Sequence, residues 1–72
     1  MLTRVIILQD LENMQFLAPS PDGDVMFTPL LTEASLFLSE EEAQDTADMM
    51  HVEQFHHFVC YVDASVVLER RQ

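Results

Sequence analysis

The segment from Leu2 to Leu8, which is dense in aliphatic and β-branched residues, is the feature that most constrains the fold of this chain. Both alternating faces of the segment are apolar, so an extended strand made from it has to be covered on both sides. We therefore predict a central strand of a sheet, with other strands beside it and a further layer packed on it.

Two more strands are predicted on either side of a turn. The hexapeptide from Pro19 to Asp24 contains two prolines and Gly23, the single glycine of the chain, and such residues favour a tight reversal. Strands over Met14–Ala18 and Val25–Leu30 would then pair as a hairpin. Because Pro29 has no amide donor, it indicates either an edge strand or the end of the third strand.

A helix is predicted to begin at Ser39. The tetrapeptide from Ser39 to Glu42 matches the capping box, in which the serine hydroxyl accepts from the third following amide. Three glutamates in the first turn also suit the positive end of the helix dipole. Ala43, Ala47 and Met50 form an apolar stripe, and the segment from His51 to Glu53 is expected to end the helix.

The last third of the chain is ambiguous. Phe55, Val59, Val62 and Val66 have helical spacing, yet β-branched and aromatic residues crowd the segment 55–62, which favours a buried strand. We choose a strand, with residues 66–68 continuing it or forming another. The order β-β-β-α-β predicts an α+β fold: a small antiparallel sheet with one amphipathic helix packed on one face, in a single domain over residues 1–72.

Residues that could bind a metal or act as nucleophiles are grouped near the end of the chain. They are His51, Glu53, His56, His57 and Cys60. A strand would point His56 and Cys60 to one face and His57 to the other, and the spacing matches no standard zinc motif. With one glycine, the chain also has no phosphate-binding loop. We predict no metal site, no cofactor and no enzymatic activity.

The charge of the chain limits its partners. Thirteen acidic residues against three arginines and no lysine give a net charge of −10, while 49% of the residues are hydrophobic. The apolar content predicts a folded chain, and the scarcity of cations argues against direct binding to nucleic acid or to anionic membranes. No stretch is long and apolar enough to span a membrane, and the lone Cys60 suits a reducing cytoplasm. A chain this short has a thin core, which leaves a homodimer open.

The acids themselves are the candidate functional residues. Glu41, Asp45 and Asp48 fall on one side of the predicted helix, and no Lys or Arg occurs between Val5 and Glu69. We therefore expect the acids to repel one another without compensation from within the chain. This suggests a basic partner surface, namely that of a nucleic-acid-binding protein, on which the acids take the place of phosphates. The predicted partner-binding residues are Glu40, Glu41, Glu42, Asp45 and Asp48 of the helix, with Asp22 and Asp24 of the turn.

In size, charge and segment order the chain resembles accessory proteins of bacteriophages and mobile elements, among them inhibitors of CRISPR complexes, restriction enzymes and RNA polymerase. The resemblance carries no motif, so it transfers no functional residue. It implies a small non-enzymatic inhibitor. The alternative is a homo-oligomeric structural or regulatory protein that acts through its many apolar side chains, Met14, Phe16 and Phe58 among them.

Overall fold

The fold is an antiparallel sheet with a helix against each of its faces. A computed structural model describes residues 1–22 and 24–70. The elements are β1 (Leu2–Asp10), β2 (Phe16–Pro19), β3 (Val25–Thr28), a 3-10 turn (Leu31–Glu33), α1 (Glu40–Met49), β4 (Phe55–Asp63) and α2 (Ala64–Arg70). The strand order is β3-β2-β1-β4, with every neighbouring pair antiparallel. The predicted α+β class is confirmed.

The prediction of a central first strand is also confirmed. Val5, Ile6, Ile7 and Leu8 are all buried, because their side chains alternate between two separate apolar clusters. β4 pairs with β1 along its whole length on one side. On its other side β1 pairs with β2 only at Gln9. Further along that side, the backbone of Ile6 forms an isolated bridge with that of Phe37.

The second strand begins later than predicted. Met14 has a φ of 59°, a left-handed conformation that cannot continue a strand, and its amide donates to the Asp10 carbonyl in a tight turn. The strand therefore covers Phe16–Pro19 rather than Met14–Ala18. The carboxylate of Asp10 is buried in this turn and accepts the Glu12 amide at 2.9 Å.

The hairpin between β2 and β3 is confirmed, with four consecutive residue pairs from Phe16–Thr28 to Pro19–Val25. The third strand ends at Thr28 rather than Leu30, because Pro29 stops the ladder, and β3 is also the edge of the sheet. Both readings of Pro29 thus hold. Gly23, predicted to complete the turn, lies outside the described residues.

Both ends of α1 have defined caps. The hydroxyl of Ser39 accepts the Glu42 amide at 3.1 Å, as predicted. At the other end His51, with a φ of 56°, takes the left-handed position usually filled by glycine. The amide of Val52 donates to the Ala47 carbonyl and that of His51 to the Asp48 carbonyl, which is the Schellman arrangement. Ala43 and Ala47 are buried against the sheet.

The end of the chain differs from the prediction in two ways. The segment Phe55–Asp63 is a strand, but it is an edge strand with mostly exposed side chains rather than a buried one. Residues 66–68 belong to the helix α2 rather than to a strand. The carboxylate of Asp63 accepts from the Ser65 amide at 3.0 Å and the Ser65 hydroxyl at 2.8 Å, which ends the strand and caps the helix.

The two faces of the sheet have separate cores. Ile6, Leu8 and Leu17 pack with Phe37 beneath α1. The opposite cluster consists of Val5, Ile7, Ala34, Leu36 and Val67, the last of these from α2. The predicted helix on one face is α1, and a second helix that was not predicted, α2, covers the other face together with the segment before α1. Among the described residues, no helix is long and apolar enough to cross a membrane.

Candidate functional site

The outward side of α1 carries a row of carboxylates, Glu41, Asp45 and Asp48, which we call the acidic face. All three residues are exposed. Ala43 and Ala47 anchor the opposite side of the helix in the core, and this fixes which residues point away from the sheet. Spacings of four and three residues separate the three acids by ~6 and ~4.5 Å along the helix axis. That is the same order as the phosphate spacing of a nucleic-acid strand.

Glu40, also predicted as a partner residue, has a counter-charge within the chain. The guanidinium of Arg4 lies 3.8 Å from its carboxylate, with both side chains largely exposed. The expectation that the acids lack any internal compensation is therefore wrong at this position. An exposed pair of this kind stabilises the fold little. The contact does, however, direct the Glu40 side chain toward Arg4 of β1, so that Glu40 is not part of the acidic face.

The two acids of the hairpin turn, Asp22 and Asp24, are exposed and lie at one end of the sheet. Because β2 runs antiparallel to β1, its turn points toward the end where β1 begins. The ion pair between Arg4 and Glu40 places the start of α1 at that same end. The structure thus brings Asp22 and Asp24 to the end of the sheet where the acidic helix starts, whereas Asp48 lies further along α1.

The C-terminal half of the acidic face is electrostatically unfavourable. The last turn of α1 has no basic residue, and Asp48 lies at the negative end of the helix dipole. Its carboxylate accepts a hydrogen bond from the Gln44 side-chain amide at 3.0 Å, a contact with a neutral donor. Glu42, by contrast, is half-buried and lies at the capped start of the helix.

The histidines and cysteine near the end of the chain do not come together as a reactive group. The register of β4 on β1 puts His56 and Cys60 on one face and His57 on the other, as predicted. Four residues along a strand span ~13 Å, so His56 is too far from Cys60 to activate its thiol. Within residues 1–22 and 24–70, no group of three or more His, Cys, Asp or Glu side chains is arranged to hold a metal ion.

One further surface was not recognised from the sequence. A shallow apolar pocket of about 270 Å³ opens beside β4, and Ile7, Phe16, Leu31, Phe58, Val59 and Cys60 line it. The rings of Phe16 and Phe58 meet at its wall with centroids 6.4 Å apart. Both phenylalanines belong to the apolar excess visible in the sequence, but only the sheet order, with β1 between β2 and β4, brings their rings together.

No protein-family model, curated protein or solved structure matches this chain.

Proposed function

We propose that this chain is a non-enzymatic binding protein that blocks a nucleic-acid-handling protein, using the acidic face of α1 against Lys and Arg side chains of its target. The observation that carries the proposal is the outward row of Glu41, Asp45 and Asp48 on a helix whose other side is anchored in the core. Because the folded helix already holds these residues in a row, binding does not cost the entropy of ordering their backbone.

The stability cost of this row supports a role in binding. Like charges three and four residues apart destabilise a helix, and a carboxylate in the last turn opposes the helix dipole. Asp45 and Asp48 repel one another across three residues, and Asp48 also lies in the last turn. A strongly negative surface also speeds association with a basic partner, whose cations would supply the missing counter-charges. A cytosolic location accords with the single cysteine, since a reducing compartment leaves such a thiol free.

The proposal is tested by affinity capture with two matched variants. The test variant carries E41Q, D45N and D48N. The control carries E33Q, E53Q and E69Q, which remove the same three charges from exposed positions outside α1. We expect the wild-type chain and the control to retain basic nucleic-acid-binding proteins that rising salt or added duplex DNA releases.

The test variant should lose this capture while remaining folded by circular dichroism. Equal capture by the two variants would show that only the net charge matters and that the acidic face has no special role. Capture that neither salt nor duplex DNA weakens would contradict the electrostatic mechanism itself.

The second candidate function is that of a homo-oligomeric structural or regulatory protein. It is favoured by one observation, the exposure of Phe58, Val59 and Tyr61 on a single strand. Its charge would then serve solubility alone.

A further inference from the structure

We propose that two copies of this chain associate through β4, edge to edge and antiparallel, so that their sheets join into one. β4 is nine residues long and pairs with β1 on one side only. The interface lies apart from the acidic face of α1, so this inference and the proposed function can fail independently.

The backbone of β4 has free hydrogen-bonding groups at alternate residues. Ile6 exchanges its amide and carbonyl bonds with Phe37, on the side of β1 away from β4. In an antiparallel ladder such groups alternate in direction, so the odd-numbered residues of β1 face β4. Their partners are His56, Phe58, Cys60 and Val62. The amides and carbonyls of the alternate residues, His57, Val59 and Tyr61 at the centre, therefore point outward along the open edge.

The usual protections of a sheet edge are absent from β4. Natural edges are kept from pairing by lysine, proline, bulges or shortness. β4 contains neither lysine nor proline, and nine consecutive pairs with β1 leave no bulge. The other edge of the sheet, β3, is four residues long and is followed at once by Pro29. The molecule thus has one blunted edge and one open edge.

A second copy is the occupant that the charge pattern favours. With a net charge of −10 on each copy, two copies repel one another, and the repulsion is smallest where the surfaces that meet carry no charged residues. Residues 55–62 contain no Asp, Glu, Lys or Arg, and their histidines are formally neutral at pH 7. An antiparallel strand is also self-complementary about a two-fold axis, as a closed homodimer requires.

The register that overlaps all nine residues places Val59 opposite Val59 of the partner subunit. Phe58 then lies opposite Cys60 of the partner subunit, on the face of the sheet that carries the apolar pocket. Tyr61 lies opposite His57 of the partner subunit on the α1 side. Phe58, Val59 and Tyr61 are 39%, 49% and 63% exposed in the single chain. With roughly 200 Å² for each aromatic side chain, the two rings alone offer about 200 Å² per copy.

That area is well below the roughly 800 Å² per partner of a standard stable interface, so we expect a weak dimer.

Opposed residues of an antiparallel pair point to the same face of the sheet. The two α1 helices would therefore lie on one face of an eight-stranded sheet, twice the four strands of one copy. A dimer would thus present two acidic faces side by side.

The decisive experiment measures the mass of the full chain by sedimentation while amide exchange is followed by NMR over a dilution series. The monomer mass is 8.3 kDa. We expect the mass to approach twice that value at high concentration. The amides of His57, Val59 and Tyr61 should gain protection in parallel, whereas those of Phe58 and Cys60 are protected throughout by β1.

Two substitutions test the edge directly. V59P removes an amide that β1 does not use, which eliminates two symmetric hydrogen bonds and should weaken the dimer on the order of 30-fold. Y61K should dissociate the dimer as well. Its matched control is L68K, which makes the same change in charge on α2 at a side chain 72% exposed. L68K should dimerise at least as well as the wild-type chain, because it reduces the repulsion between copies.

The salt dependence of association distinguishes dimerisation through β4 from partner binding through the acidic face. Screening should strengthen association between two copies of an anion, whereas it weakens association with a basic partner. A constant monomer up to about 1 mM, a concentration at which even very weak association is visible, would overturn the proposal. A dimer whose outward amides gain no protection, or protection of these amides by a different protein on a monomeric chain, would overturn it equally.

Discussion

Replacing Asp48 by asparagine should stabilise the fold. The carboxylate opposes the helix dipole in the last turn of α1, which costs about 0.3–1 kcal/mol at low ionic strength. Repulsion from Asp45, three residues earlier, adds about 0.2–0.5 kcal/mol. Asparagine keeps an oxygen that can accept the Gln44 amide, now at 3.0 Å, so the charge is the main change. The expected gain is therefore about 0.5–1.5 kcal/mol.

Thermal and urea denaturation measure this gain. For a domain of this size, about 1 kcal/mol corresponds to a rise in Tm of roughly 4–8 °C. The urea midpoint should rise with an unchanged m-value, since the exposed surface of the unfolded chain is the same. At about 1 M salt the Debye length falls to about 3 Å, so most of the difference between the variant and the wild-type chain should disappear.

The matched control is E41Q at the other end of the acidic face. Glu41 lies in the first turn, where the dipole favours a carboxylate, so its neutralisation loses that gain while relieving repulsion from Asp45. We expect a stability change near zero. Equal gains from E41Q and D48N would refute the argument from the helix ends, as would a loss of stability in D48N that persists at high salt.

Two further predictions concern the helix caps. S39A should lower the free energy of unfolding by about 1 kcal/mol, because the Glu42 amide loses its acceptor at 3.1 Å. S39D should retain most of that stability, because its carboxylate can accept the same amide. Equal urea midpoints for the wild-type chain and S39A would contradict this cap. At the start of α2, the pKa of Asp63 is lowered below its usual value. The main cause is the hydrogen bond from the Ser65 amide, followed by that from the Ser65 hydroxyl, and the N-terminus makes a smaller contribution. The stabilisation of α2 should therefore be present above the ordinary carboxyl pKa and be lost as the pH falls through the lowered one. The NMR shift of the Ser65 amide should follow that titration in the wild-type chain but not in D63N, and the same titration of this amide in both would refute the cap.

Local patterns predicted the parts of the fold that depend on neighbouring residues. The apolar residues on both faces of the segment from Leu2 to Leu8 identified the central strand, and the capping box at Ser39 located the start of α1. Both signals work because their physical causes act within a few residues. The identity of α2 was missed for a related reason: its β-branched residues favour a strand, but the cap from Asp63 and the burial of Val67 decide for a helix.

The candidate site shows the same division. Helical periodicity alone placed Glu41, Asp45 and Asp48 on one side of a helix, and the burial of Ala43 and Ala47 agrees with that placement. Periodicity did not reveal that Arg4 pairs with Glu40, because that contact joins residues distant in the chain. It also did not place Asp22 and Asp24, whose position follows from the direction of β2.

The sequence by itself determined a folded, strongly anionic chain with a central apolar strand and an acidic, capped helix. Only the tertiary structure decided that β4 lies at the edge and that α2 covers the second face. The physical reason is that the composition of a segment shows how apolar it is, whereas the strands and helices packed beside it decide which of its sides are buried. The same Phe58 and Val59 would suit a buried strand or an open edge, and the pairing of distant strands chose the edge.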